Sequence, residues 1–345
     1  MLFHTLYIYA GHASGHFAGR PRPTRTLMRH LPGVWRALCV WIVAVCSGTA
    51  TAFAQQDPAF AHYWQMETQF NPAAVGRTPQ LSITAAVQMH ASGYEDAGST
   101  MYAGADMALQ LGRTRHGVGA SFQNDEFGLF SHKRFSAAYA YHLKLWGGTL
   151  SIGGEADMLS ETLNGSKADL GEANDPAFPS TDVSGSKFDA SAGLYYAHKN
   201  WYAGVAAQHL TAPTVFLGET NEYKVKRLYN FTAGYNIKWR GSFVTIVPST
   251  LLRYDGAAFR ADITARVLYA HEKKRLYGGL TYSPQHSVTG FVGGSFHGID
   301  LSYSYEANTS GMGLGAGQHE VSVGYRLDLN FAKKGKNVHR SVRFL

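Results

Sequence analysis

The sequence predicts an all-β protein, a transmembrane antiparallel up-and-down β-barrel of about fourteen strands behind a cleaved signal peptide. Three observations predict it. The mature chain alternates apolar and polar residues in runs of about ten, the connections between runs are short on one side and long on the other, and a secretory leader precedes them. Composition agrees, because Gly (38), Tyr (20) and Phe (19) are abundant in the 345 residues while only 16% are charged, a bias toward pleated strands and glycine turns. No stretch of the mature chain approaches the roughly 18 apolar residues of a membrane helix. If the chain crosses a bilayer, it does so as a closed barrel, the other structure that satisfies every backbone polar group there.

The leader has a basic flank at Arg29 and Arg36, an apolar core from Ala37 to Cys46, and a small-x-small site at Ala52-Phe53-Ala54 before Gln55. Residues 1–27 are long and polar for such a signal, so Met28 is the expected start and cleavage is expected after Ala54. The alternative, a single membrane anchor, fits less well because the apolar core is short. Val45 before Cys46 is too large for a lipoprotein site. Both cysteines, Cys39 and Cys46, fall inside the leader, so the mature protein has no disulfide, thiolate nucleophile or cysteine metal ligand. The formal charge of +7 also shrinks: removing the presequence's five arginines leaves 26 basic residues against 24 acidic ones. Nucleic-acid binding loses its main support. Four segments follow: presequence and signal 1–54, a periplasmic or plug segment 55–79, the barrel 80–331 and a basic periplasmic tail 332–345.

Alternation is plainest from Phe259, where Phe259, Ala261, Ile263, Ala265, Val267 and Tyr269 interleave with Arg260, Asp262, Thr264 and Arg266. Side chains on a strand alternate between two faces, so such a segment has one apolar and one polar wall. Strands are expected near 80–90, 100–111, 116–123, 133–145, 149–159, 187–198, 201–210, 228–239, 243–253, 258–270, 275–283, 286–295, 299–306 and 319–331. An even count returns both termini to the periplasm. Connections after even-numbered strands are short, such as Trp146-Gly147-Gly148 and Lys199-Asn200, whereas 160–186, 211–227 and 307–318 are long. That asymmetry is the outer-membrane signature and places the long loops at the cell surface. A soluble lipocalin-like barrel or sandwich alternates with its apolar face inward, and alternation alone does not separate the two; so wide a soluble barrel would, however, leave a void. Trp146, Trp201, Tyr202, Trp239 and Tyr277, near strand ends, are expected to form an aromatic girdle.

A search for catalysis returns little. Gly293-Gly294-Ser295-Phe296-His297 lacks the second glycine of a nucleophile elbow, and His271-Glu272 lacks the second histidine of a zinc protease. The run Gly311-Met312-Gly313-Leu314-Gly315-Ala316-Gly317 lacks the Lys-Ser or Lys-Thr of a phosphate loop. Of sixteen histidines, His4, His12, His16 and His30 lie in the presequence and the others are scattered without ligand spacing. No catalytic, cofactor or metal residue is assigned. A barrel lipase, needing His and Ser on adjacent lipid-facing strands, stays as an alternative.

Short blocks in a fixed order carry a resemblance. Gln55-Gln56-Asp57-Pro58-Ala59-Phe60 and Phe70-Asn71-Pro72-Ala73-Ala74-Val75-Gly76 open the mature chain. Tyr202-Ala203-Gly204-Val205, His209-Leu210-Thr211-Ala212-Pro213, Pro248-Ser249, Tyr303-Ser304-Tyr305, His319-Glu320-Val321-Ser322-Val323-Gly324-Tyr325-Arg326 and Arg343-Phe344 follow. Together they resemble the PorP/SprF family of type IX secretion outer-membrane proteins, with departures at Ala74-Val75, Gln318 and Ser341, where the family more often has Tyr-Ala, Ser and Cys. The resemblance implies a non-enzymatic machinery component in Bacteroidota, with no cofactor. It implies partners among the periplasmic ring proteins, and secreted substrates with C-terminal sorting domains, including gliding adhesins. The family-motif positions Asp57, Pro58, Phe60, Asn71, Pro72, Gly76, His209, Leu210, His319, Glu320, Arg343 and Phe344 are therefore candidates for partner or substrate contact. For Asn71-Pro72 the alternative is a turn into the first strand. A passive or substrate-specific porin is the competing function. The tail Lys333-Lys334-Gly335-Lys336 to Arg343 is expected to contact an acidic partner or anionic headgroups.

Overall fold

The computed structural model describes residues 57–90, 97–167, 181–218, 221–239, 241–272, 274–309 and 317–328. The leader with Met28 and Ala54, the glycine-rich run 311–316, the end of the last expected strand at 329–331, and the tail with Arg343 and Phe344 lie outside the described residues. Seven strands run up and down first: β1 (Leu81–Met89), β2 (Ser99–Leu111), β3 (Thr114–Phe127), β4 (Phe130–Leu145), β5 (Gly148–Leu163), β6 (Val183–Ala197) and β7 (Trp201–Gln208). A separate hairpin, β8 (Thr214–Leu217) and β9 (Asn221–Lys224), interrupts them. β10 (Leu228–Tyr235) with its continuation β11 (Ile237–Lys238), β12 (Val244–Tyr254), β13 (Phe259–His271), β14 (Lys274–Ser283), β15 (Ser287–Phe296), β16 (Ile299–Asn308) and β17 (Gln318–Leu327) complete the wall. Every neighbouring pair is antiparallel, and β1 pairs with β17 from Leu81↔Leu327 to Met89↔His319, which closes a fourteen-strand barrel.

Burial settles which wall faces outward. Ile263 and Val267 are 43% and 49% exposed, whereas Asp262 and Thr264 between them are 4% and 2% exposed. The apolar wall therefore faces lipid and the polar wall the lumen, so the soluble lipocalin-like or sandwich alternative is wrong for this chain. The expected aromatic girdle needs a partial correction. Trp146, Trp201 and Trp239 are exposed at the short-turn end, but Tyr277 is 8% exposed and Tyr202 stacks on Tyr195 inside the lumen. Both tyrosines fall on the inward parity of their strands. At the short turns, Trp146-Gly147 and His297-Gly298 both have positive φ, the geometry whose twist matches that of the flanking strands.

The strands β3–β6 are 14, 16, 16 and 15 residues long, against 8 to 13 for the other barrel strands, with β10 counted apart from its continuation. Their outward side chains show where the excess lies. Toward the long-loop end, Phe122 gives way to Asn124 and Glu126, Phe135 to Lys133, Met158 to Ser160 and Thr162, and Phe188 to Ser186 and Ser184. Hydrocarbon ends at that line and the four strands continue beyond it as a raised wall, roughly 15 Å at most at 3.3 Å per residue. The expected segments 116–123, 133–145, 149–159 and 187–198 stop at this line because alternation stops there, and the loop expected over 160–186 shortens to 164–182. Above the line the inward face mixes a charged pair, His132 with Glu161, and an apolar cluster. Leu163 and Val183 pack with Leu129 against Val215, Leu217 and Tyr223 of the β8–β9 hairpin, which lines the barrel mouth.

A charge placed on the lipid face near mid-height is costly, by about 2–4 kcal/mol. Val205→Arg on β7 is expected to lower refolding stability in liposomes by that amount, whereas Ser160→Arg, beyond the lipid line, is expected to change it by less than about 0.5 kcal/mol. Urea titration read by heat-modifiable gel migration measures both.

Candidate functional site: a plugged lumen beneath a surface vestibule

The segment from Asp57 to Gln80 threads the lumen from the long-loop end to the short-turn end, where β1 begins. Barrel interiors are polar, so a peptide lying there keeps its backbone groups satisfied only if wall side chains reach them. They do so at each level. Arg253 donates from Nη1 to the carbonyls of Asp57 (2.8 Å) and Pro58 (3.2 Å). Glu320 accepts from the Ala61 amide (2.6 Å), the His62 amide (3.2 Å) and His62 Nδ1 (2.7 Å). Gln69 offers its carbonyl to Arg134 (3.2 Å) and Gln208 (2.9 Å), and Asn230 donates to the Phe70 carbonyl (3.1 Å). Tyr63 bonds Ser249 at 2.7 Å, and Gln65 reaches Asp300 at 2.8 Å.

Asn71 and Pro72 form the tightest fit. Asn71 Oδ1 accepts from the Ala73 amide at 2.9 Å and so caps a 3-10 turn over Pro72–Ala74, while its Nδ2 donates to the Leu194 and Val205 carbonyls of β6 and β7. Glycines clear the room. A Cβ on Gly193 would stand 2.1 Å from Asn71 Oδ1, and one on Gly153 2.4 Å from the Ala73 amide nitrogen. Lower down, Gly76 has φ +68°, its amide donates to Asp106 at 2.8 Å, and its carbonyl accepts from Arg115 at 2.8 Å. A Cβ there would lie 2.4 Å from the Gly117 backbone. Arg77 pairs with Glu67 and lies 4.5 Å over the Tyr195 ring.

At the surface end, Asp57 is the latch. Its carboxylate meets Arg134 (3.2 Å) and His209 Nε2 (3.1 Å), and the other ring nitrogen of His209 meets Asp189 at 2.7 Å. Enclosure by itself favours the neutral acid, although 31% of the Asp57 side chain still meets the vestibule. His209, Arg134 and Arg253 outweigh that and hold the carboxyl well below the usual carboxylate range. Burial likewise opposes charge on His209, but Asp57 and the hydrogen bonds to Asp189 and Asp57 push it up to about 9. Both of its ring nitrogens then donate. His209 stands at φ +55°, where the chain leaves β7 and turns inward toward the hairpin.

Above the latch is an open vestibule of about 490 Å³, its lining including Asp57, His132, Arg134, Glu161, His209 and Tyr223. Below it, the cavities left in the lumen measure about 10 Å³ and, near the short-turn end, about 90 Å³.

The structure thus brings Asp57 and His209 together, and sets Phe60, Asn71, Pro72, Gly76 and Glu320 in buried contacts between the plug and the wall. Pro58 offers its carbonyl to Arg253, Leu210 is 38% exposed at the top of β7, and His319 faces outward against Tyr303 at 2.7 Å. Sequence reasoning missed Arg134, Arg253, Asp189, Asp106 and Arg115. Alternation marks them as lumen-facing, but nothing local marks which wall residues meet the plug. Among the described residues, no group of three His, Asp or Glu is placed to hold a metal ion.

Closed strand pairing, an apolar outer wall and an occluded polar lumen define an outer-membrane β-barrel. A family model, described as type IX secretion system membrane protein PorP/SprF, matches residues 52–325, and the chain belongs to that family. Comparison with curated proteins finds no match. Among solved structures, the TodX deltaS2S3 mutant monoaromatic hydrocarbon channel is similar, with a TM-score of 0.49 and 13% identity over 75% of this chain and 93% of that one. The CymD monoaromatic hydrocarbon channel has a TM-score of 0.49 at 10% identity (77% and 93%), and the P. putida toluene transporter TodX 0.47 at 11% (75% and 93%).

The latch has a defined pH range. Because the folded-state value of His209 lies above the 6.5 of a free histidine, its stabilisation is fully present below about 6.5 and is lost as pH rises through about 9. Protection factors of the Ala61 and His62 amides, taken relative to the base-catalysed intrinsic rate, are expected to fall across that window, and His209→Gln should flatten that fall.

Proposed function

We propose that this barrel is a non-enzymatic, plugged outer-membrane component of the type IX secretion machinery that supports the secretion or surface attachment of proteins bearing a C-terminal sorting domain, gliding adhesins among them. The observation that carries the reading, alongside family membership, is the occluded lumen. Wall side chains bond the plug backbone from Arg253 at the mouth to Arg115 near the short turns, and cavities beside it measure about 10 Å³ and about 90 Å³ against about 490 Å³ for the vestibule. A subunit of this kind offers substrates its mouth and loops rather than its bore. The family-motif positions Asp57, at the vestibule, and Phe60, Asn71, Pro72, Gly76 and Glu320, buried, serve in this reading to seat the plug. Leu210 and His319, at the rim and on the outer wall, remain available to partners. The basic tail 332–345 supplies a periplasmic contact with an acidic ring component, and its sequence runs on from a β17 that ends at the periplasmic side.

Two measurements test the reading. In planar bilayers the wild-type barrel is expected to be silent and deletion of residues 57–79 to open steady conductance; steady current through the wild type would favour the porin instead. Replacing Lys333, Lys334, Lys336, Arg340 and Arg343 with glutamine is expected to weaken recovery of periplasmic partners in pull-downs while heat-modifiable migration stays unchanged. In cells, loss of the protein should leave sorting-domain cargo inside the outer membrane, and cargo reaching the surface normally would overturn the secretion role.

A further inference from the structure

The raised wall ends abruptly. β6 pairs with β7 only from Ala192↔Ala207 to Ala197↔Tyr202, although β6 continues upward to Val183. The last bond across this seam runs from the Leu210 amide to the Ala190 carbonyl at 2.9 Å. In an antiparallel strand the N–H and C=O of one residue point to the same neighbour and alternate residues point to opposite neighbours. Ala190 therefore fixes the parity: Ser184, Ser186 and Phe188 direct their N–H and C=O groups toward the side that β7 has vacated. Their odd-numbered neighbours point toward β5, which pairs with β6 up to Leu163↔Val183. Among the described residues, none bonds the outward-pointing groups of Ser184, Ser186 and Phe188.

These groups stand above the lipid line, on the long-loop side of the barrel. Bare strand edges are commonly blunted by a bulge, a proline or a covering loop, because they template pairing with another chain. Here the β8–β9 hairpin covers the inner face instead, with the Phe216 carbonyl 2.3 Å from where a Gly185 Cβ would lie, and leaves the edge free. Two aromatic rings flank the vacant track, Phe188 at 80% exposure outside and Phe216 at 60% on the hairpin. Lys187 on the edge strand and Lys224 on the hairpin are exposed, and among the described residues neither is paired with a carboxylate. Backbone donors and acceptors in register specify an extended peptide, the rings favour apolar side chains on it, and the lysines favour carboxylates.

We propose that the edge Ser184–Phe188 is a docking site for one β-strand of another protein at the cell surface, an extended segment in which apolar and acidic side chains alternate. The edge exists whether or not the barrel serves secretion, so its test uses the purified full chain. The probes are fluorescein-labelled ten-residue peptides of alternating Val and Glu, or alternating Val and Lys, added to the barrel in detergent micelles. The Val–Glu peptide is expected to raise anisotropy and to slow amide exchange at Ser184, Ser186 and Phe188 by about tenfold. Ser186→Pro removes a donor that the β5 ladder does not use and should weaken binding about fivefold while heat-modifiable migration is retained. Lys187→Ala should narrow the preference for Val–Glu over Val–Lys. The proposal is overturned if neither peptide binds, if Ser186→Pro folds and binds normally, or if the three amides are already slow without peptide, because the chain's own loops then cover the edge. Slow amides that become fast on dilution to monomer would overturn it in favour of a second copy.

Discussion

The constraint on which the rest of this structure depends is that nothing outside the barrel can hydrogen-bond to it. Lipid meets the apolar wall along strands such as β13 and β17, so polar side chains of the spanning strands either pair with one another on that wall, as His319 does with Tyr303, or find their partners inward. An empty bore would meet that need with water. This chain meets it with peptide: Arg253, Glu320, Gln208 and Asn230 each bond a backbone group of the segment from Asp57 to Phe70. Plug and wall are therefore mutually required. Removing one partner strands a buried donor or acceptor, at about 1–3 kcal/mol each, which is why the fasteners are spread over the whole height of the lumen instead of being concentrated at one point.

The latch at the surface end differs in kind from the other fasteners. Most plug contacts are hydrogen bonds between neutral groups or to a single charge, whereas Asp57, His209, Asp189 and Arg134 form a chain of alternating charge with the vestibule on one side. Exposure weakens such a pair relative to a buried one, and the latch is also the point at which the plug meets the outside. This chain of charged contacts thus also borders the vestibule. A ligand that competed for Asp57 would act on the seal without having to enter the lumen.

Much of the wall was legible in the sequence and little of the lumen was. All fourteen strands fall where alternation places them, because a lipid-facing wall imposes its period on the residues directly. The ends of β3, β4, β5 and β6 were misplaced for an instructive reason: the period marks contact with lipid, and at Phe122, Phe135, Met158 and Phe188 lipid ends before the strand does. Tyr202 and Tyr277 were misread as interfacial because a strand-end aromatic carries no sign of which wall it occupies. The plug's fasteners were hidden for another reason. Asp57 and His209 are 152 residues apart, and only closure of the barrel sets them 3.1 Å from each other.

Above the lipid line the same strands change their pattern. Within the membrane β5 shows Met158 and Ile152 outward and Asp157 and Glu155 inward, while above it Ser160 and Thr162 face out and Leu159, Glu161 and Leu163 face in. One continuous strand thus passes from an apolar to a polar outer face, and the β8–β9 hairpin packs on the apolar residues of its inner face. The upper ends of β3–β6 thus form a four-strand sheet above the barrel rim with the hairpin on its inner face. Such a sheet has two edges, and here they differ: the β3 edge continues into β2 through Ser99↔Glu126, whereas the β6 edge continues into nothing described. The asymmetry follows from β7 ending at Gln208, where His209 leaves the wall to bind Asp57. The turn that brings the latch histidine to the plug is therefore the same turn that uncovers the strand edge, and the seal and the surface edge are set by one departure of the chain from the barrel.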